Sequence, residues 1–187
     1  VRLDYSSNKD TKVHRANELK TVIERGSFKL FKILVENGRR ETKIDIDSCH
    51  LLNWAIFYDR LDVVKYLIEK EKHSVNEYCN NSYSFPPKPG DGSPLYNAVL
   101  KENPKMVRYL ISKKADVNSD GNGIEEETPA YATVKLNNLQ ILKILVKAGA
   151  NLDTQTPEGG LAYELAVSYK NQEMIDYLKE HGARTEV

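Results

Sequence analysis

The side chains best suited to acid–base, nucleophilic or metal chemistry are few and scattered: four histidines, His14, His50, His73 and His181, and two cysteines, Cys49 and Cys79. A catalytic centre needs an acid, a base or a nucleophile converging on one pocket. The sequence holds no Gly-x-Ser-x-Gly elbow, no glycine-rich phosphate loop and no histidine pair at zinc-protease spacing. The nearest approach to a metal set is Cys49 and His50 with His73 and Cys79, two thiols and two imidazoles of the kind tetrahedral zinc takes. Cys49 and His50 are adjacent, however, and no C-x-x-C or H-x-x-x-H pair accompanies them. Asp91, Asp116, Asp120 and Glu125 to Glu127 lack the ordered spacing of a calcium loop and read as solvated turn residues. The expectation is a chain with no catalysis, no metal and no cofactor; a small-molecule or metal site around Cys49 to Cys79 is kept as an alternative.

Composition narrows the classes further. The 187 residues carry 27 Lys and Arg against 27 Asp and Glu, so the net charge is zero and the cationic surplus that nucleic acid rewards is missing. Lys101, Lys113, Lys114, Lys135 and Lys143 are interrupted by Glu102, Asp116 and Glu127, and read as solvated faces. No apolar run approaches the roughly 18 residues of a membrane span, and no apolar signal segment occupies the first 20 positions. Neither nucleic acid nor membrane is an expected partner. The chain begins at Val1 rather than Met, which leaves room for a removed leader or an upstream domain. A cytoplasmic location is expected, with the secreted or periplasmic alternative open; two cysteines are too few for a disulfide framework. The 19 lysines against 8 arginines, and the 15 asparagines, read as a genomic bias without structural purpose.

The elements that must position any site emerge from an internal repeat. Ser93-Pro94-Leu95-Tyr96-Asn97-Ala98 is matched 35 residues later by Thr128-Pro129-Ala130-Tyr131-Ala132-Thr133. With Ala98 as a register mark, the equivalent positions are Val22, Ala55, Ala98, Thr133 and Ala166, spaced by 33, 43, 35 and 33 residues. An apolar pair follows each mark by eight and nine residues, and a leucine by twelve: Leu34, Leu67, Leu110, Leu145 and Leu178. Groups such as Val63, Val64, Leu67 and Ile68 have the i, i+3, i+4 spacing of an amphipathic helix. Thr128 with Pro129, and Asn103 with Pro104, are placed to start helices, and Gly38, Gly149 and Gly182 to end them. Each unit is therefore a pair of helices too short to bury its apolar face alone, and stacking must create the core.

These residues resemble the ankyrin repeat, with its T-P-L-H-x-A opening and the G-A-D-V-N ending echoed by Lys114 to Asn118 and Gly149 to Asp153. The resemblance covers roughly residues 13 to 183 and implies an all-α solenoid. One domain over 1–187 is expected: a polar lead-in at 1–12 and units at roughly 13–45, 46–88, 89–123, 124–156 and 157–187. The resemblance also implies a monomeric protein-binding module, an adaptor, scaffold or inhibitor, whose partner meets the concave face. A regulatory or targeting arm of a larger enzyme or secreted effector is the competing reading.

Two features are candidate contact surfaces. The spacing of 43 places an insertion at 77–92, which reads as a tolerated surface loop or as a binding element, the latter because Tyr78, Tyr83 and Phe85 stand beside Pro86, Pro87 and Pro89. The second and third residues after each mark end the first helix of each unit, and there Phe57, Tyr58, Leu100, Lys101, Leu136 and Tyr169 form a candidate stripe, with packing into the groove between units as the alternative for Leu100 and Leu136. Contiguous apolar surface with aromatic anchors marks interaction sites. Trp54, just before the mark Ala55, reads as a core residue.

Overall fold

The computed structural model describes residues 17–41, 48–79, 92–119, 127–153 and 160–185. These residues hold ten helices: α1 (17–25), α2 (Phe28–Glu41), α3 (Ser48–Phe57), α4 (Leu61–Glu69), α5 (Pro94–Leu100), α6 (Pro104–Ser112), α7 (Pro129–Lys135), α8 (Leu139–Lys147), α9 (Ala162–Ser168) and α10 (Gln172–Glu180). Among them there is no strand, only an isolated bridge between Cys79 and Gly92. Helices α3 and α4, α5 and α6, α7 and α8, and α9 and α10 pack as pairs. The first helices α3, α5, α7 and α9 then touch one another in order and form one layer; α6 and α8 touch in a second layer. The architecture is an all-α solenoid.

Local chemistry fixes where each helix starts and stops. The Ser93 and Thr128 hydroxyls accept the N–H groups of Tyr96 and Tyr131, with Pro94 and Pro129 at the first helical position. Asn103, Asn138 and Asn171 start α6, α8 and α10 in the same way, accepting from Met106, Ile141 and Met174 at 3.0 Å. Between the two helices of each unit the fourth residue after the mark is left-handed: Gly26, Asp59, Glu102, Asn137 and Lys170, with φ from 49° to 86°. Gly149 and Gly182, at φ 93° and 85°, end α8 and α10 as expected. Gly38 does not end a helix; it lies inside α2, which runs on to Glu41.

The asparagines are more than a genomic bias, and their work extends beyond the helix start expected of Asn103. Those that start the second helices also reach back one unit: Asn103 Nδ2 donates to the Asp59 carboxylate, Asn138 Nδ2 to Glu102 Oε2 at 2.9 Å, and Asn171 Nδ2 to Asn137 Oδ1. Where the second unit has Arg60 instead, its Nη1 donates to the Ile23 carbonyl at 2.9 Å. A second ladder ties the unit ends. Asn76 Oδ1 accepts the Asp116 N–H at 2.8 Å while its Nδ2 donates to the Lys114 carbonyl, and Asn118 repeats this with Asn151 and Gly149. Asp153 continues it by accepting the Arg184 N–H at 2.6 Å.

Burial follows the repeat. Ala55, Ala98, Thr133 and Ala166 are buried, and so are Leu67, Leu110, Leu145 and Leu178. The small marks let the first helices approach closely; Thr133 satisfies its hydroxyl by donating to the Ala130 carbonyl at 2.6 Å. The first unit departs from this. In α2, which packs toward α4, Phe31 and Val35 are buried, but Leu30 is 44% exposed and Leu34 only half-buried. Two apolar clusters result. Helices α7 and α8 serve both, giving Ala132, Ile141 and Leu145 to one and Ala130, Val134 and Leu142 to the other.

Candidate functional site

The stripe residues occupy equivalent places. Phe57 ends α3 and Tyr58 follows it; Leu100 ends α5 and Lys101 follows; Leu136 follows α7 and Tyr169 follows α9. Each lies one or two residues before the left-handed turn residue of its unit. The four helices touch in order, and one contact between stripe residues of successive units is seen, Lys101 on Phe57. Phe57 and Tyr58 meet edge to face with centroids 5.2 Å apart, and Lys101 Nζ sits 4.4 Å from the Phe57 centroid, joining two units. Leu100 is 44% and Tyr169 49% exposed.

The other members face inward in part. Phe57 is half-buried; Tyr58 and Leu136 are half-buried and pack against the core. Tyr58 also has an internal partner. Burial first, then the Glu24 carboxylate to which its hydroxyl donates, pushes its pKa above the ordinary phenol value. Trp54 is half-buried against the core with Lys20 Nζ 5.5 Å from its ring.

In the insertion, Tyr83 and Phe85 lie outside the described residues. Tyr78 is half-buried with its hydroxyl buried, so it belongs to the base of the insertion rather than to an exposed rim. That base is anchored. Cys79 and Gly92 exchange backbone hydrogen bonds of 3.2 and 2.7 Å, and the buried Asn53 donates from Nδ2 to the Gly92 carbonyl at 2.9 Å. Cys79 is buried and disulfide-bonded; the sequence holds one other cysteine, Cys49.

The disulfide overturns the zinc constellation on chemical grounds, because a disulfide sulfur is not the thiolate that zinc binds. Among the described residues no three His, Cys, Asp or Glu side chains are grouped to hold a metal ion.

Several charged residues read as solvated are in fact engaged. Glu127 is only 4% exposed and accepts from Tyr96 Oη and Lys135 Nζ, both at 2.6 Å, tying α5 to α7. Lys113 pairs with Glu69 at 2.8 Å and Lys143 with Glu173 at 3.4 Å. Glu69 also accepts from the Tyr109 hydroxyl at 3.1 Å. The Lys113 bond, then the Tyr109 bond, holds the Glu69 carboxyl below its ordinary pKa. These pairs share no fixed offset or direction along the repeat, since the acid comes first in Glu69–Lys113 and second in Lys143–Glu173 and Tyr96–Glu127, so the spacing gave no signal for them.

No helix among the described residues is long and apolar enough to cross a membrane.

Comparison with known proteins agrees with the geometry. A sequence model of ankyrin repeats (3 copies) matches residues 95–187, and one of ankyrin repeats (many copies) matches 52–111. The chain is similar to an ankyrin repeat protein of Rickettsia bellii, 39% identical over 90 residues that make up 48% of this chain and 49% of the relative. It is also similar to a Danio rerio protein that bears a palmitoyltransferase name, at 24% identity over 82% of this chain and 33% of the relative. Alpha-latrotoxin-Lg1a of Latrodectus geometricus is 25% identical over 80% of this chain and 10% of the toxin. The chain thus spans about half or less of the length of these relatives. Helix pairs, the left-handed turn at one register position and both sequence models agree: the chain belongs to the ankyrin-repeat family, whose repeats are non-catalytic and serve in general to bind other proteins.

Proposed function

We propose that this chain is a protein-binding module, an adaptor, scaffold or inhibitor without chemistry of its own, that holds its partner along the ends of its first helices. The observation that carries the reading is the exposure of Leu100 and Tyr169, two and three residues after their register marks, at the same helix ends as the Phe57–Lys101 contact. Large apolar side chains held at helix ends, outside the core and beside a cation, suit a partner offering apolar and acidic groups. Within this reading the division into five units over 1–187 and a monomeric state are also proposals.

A second reading is favoured by the size of the relatives: this array serves as an arm of a longer protein, as the much longer toxin and palmitoyltransferase-named matches suggest. For location, the buried Cys79 disulfide supports the secreted or periplasmic alternative over the cytoplasmic one, since such bonds persist in oxidising compartments.

Affinity capture tests the binding reading. The wild-type chain and a Leu100→Glu/Tyr169→Glu variant are used as parallel baits in extracts of the source organism. A specific protein held by the wild type and lost by the variant, with an unchanged melting temperature, is the expected result; equal retention by both baits contradicts the stripe.

A further inference from the structure

The second-helix layer carries a feature that the stripe does not use. At three of its four junctions a cation ten residues after one mark lies over an aromatic ring eleven residues after the next mark. Lys32 Nζ is 5.6 Å from the Tyr66 centroid, Lys65 Nζ is 5.7 Å from Tyr109, and Lys143 Nζ is 5.5 Å from Tyr177. At the junction of α6 and α8 the same two places hold Arg108 and Ile144. The cation remains and the ring is missing.

The second fastening is missing there too. Between α4 and α6, Glu69 bonds Lys113 and the Tyr109 hydroxyl. The positions equivalent to Glu69, Tyr109 and Lys113 at the α6–α8 junction are Ser112, Ile144 and Ala148, all smaller or unable to pair. What is left is an open groove of about 710 Å³. Ile111, Ile144 and Ala148 supply its apolar part, Arg108, Lys143 and Lys147 its charge, and no acid lines it. Arg108 and Lys147 are exposed and make no ion pair or ring contact with a described residue.

We propose that this groove binds an acidic peptide segment bearing an aromatic side chain. The peptide's ring packs on Ile144, and its carboxylates pair with Arg108 and Lys147, since Lys143 already pairs with Glu173. The segment supplies from outside the ring and the acid that the neighbouring junctions supply from the chain itself. Complementary charge over an apolar floor selects such a peptide. Nucleic acid fits less well, because three cations on a chain of zero net charge give little counterion release. The groove is separate from the stripe of first-helix ends, and neither reading depends on the other.

The test uses a fluorescein-labelled synthetic peptide of about a dozen residues, one tryptophan set among aspartates and glutamates, with anisotropy as the readout. Saturable, salt-sensitive binding to the full chain is expected. Ile144→Tyr restores the ring of the other junctions and Lys147→Glu reverses one of the groove's charges; each is expected to weaken binding by about tenfold. Exchanging the peptide's tryptophan for serine costs a similar factor, and Lys70→Glu, an exposed cation outside the groove, leaves binding as it was. Circular-dichroism melts check that the variants fold; if Ile144→Tyr does not, Lys147→Glu carries the test. The proposal is overturned by no saturable binding, by groove variants that bind like wild type, by equal affinity for the serine peptide, or by tighter binding of a single-stranded oligonucleotide of equal length.

Discussion

Arg60 and Asp62 show how a single pair of side chains can decide a pH response. Arg60 grips Asp62 with two bonds, Nε to Oδ1 at 3.1 Å and Nη2 to Oδ2 at 2.7 Å, while the Val63 N–H donates to Oδ1 at 2.9 Å. Partial burial works against the charged form, but the Arg60 and Val63 bonds outweigh it and hold the Asp62 carboxyl below its ordinary value. A carboxyl whose pKa is lower in the folded than in the unfolded chain adds stability above its unfolded value, about 3.9, and that stability is lost as the pH falls through the folded value. The contribution is modest, because the Asp62 side chain is 43% exposed and screened by water. Urea unfolding at neutral pH and at steps below about pH 4 should therefore show a decline in the wild type that is shallower in Asp62→Asn. Parallel declines would mean that the Arg60 grip contributes nothing. None of this was legible in the sequence, where Arg60 occupies the place that Asn103, Asn138 and Asn171 fill in other units and breaks the pattern without announcing its partner.

At the scale of elements, the repeat was legible where one residue type meets one demand. The leucine twelve residues after the mark is buried in four units because every second helix turns that position to the core. The first unit obeys the spacing and not the burial: α2 buries Phe31 and Val35, and Leu34 is half-buried. The asparagine ladders escaped notice for a different reason. Each rung is short and polar, its partner lies a whole unit away, and its meaning appears only when the helices are stacked. Asn138 illustrates the point: it starts α8 by accepting from Ile141 and joins units by donating to Glu102. Asn138→Ala should cost about 1–2 kcal/mol of unfolding free energy in urea titrations. Asn138→Ser, which keeps a helix-starting acceptor, loses the reach to Glu102 and adds no charge beside it, should recover part of that cost. Equal losses in both variants would assign the whole effect to the link between units.

Over the whole molecule, stability is distributed along a line. The two apolar clusters meet at the α7–α8 pair, and hydrogen-bond ladders bridge successive units, so each unit leans on its neighbours. The insertion interrupts this order yet is pinned at its base by the Cys79–Gly92 bridge, by Asn53 and by the Cys79 disulfide. Sequence reading found the insertion from the 43-residue spacing; it missed the anchor, because two cysteines give no pairing signal until the fold closes. A reductant should lower the melting temperature of the purified chain, corresponding to about 2–4 kcal/mol for a typical disulfide; an unchanged midpoint would remove the argument for an oxidising compartment. The candidate surface was legible as a stripe of positions. The division of labour within it was not, since Tyr58 turns to Glu24 and the core while Leu100 and Tyr169 face solvent.

The central claim, that partners are held along the ends of the first helices, is tested most directly by site-specific photocrosslinking in the native extract. A photoreactive amino acid is placed at Leu100 and, in a separate sample, at Glu180, an exposed residue at the end of α10. The account predicts a covalent adduct between the chain and a second protein from position 100 and none from position 180. An adduct formed only from position 180, or from neither, would contradict it.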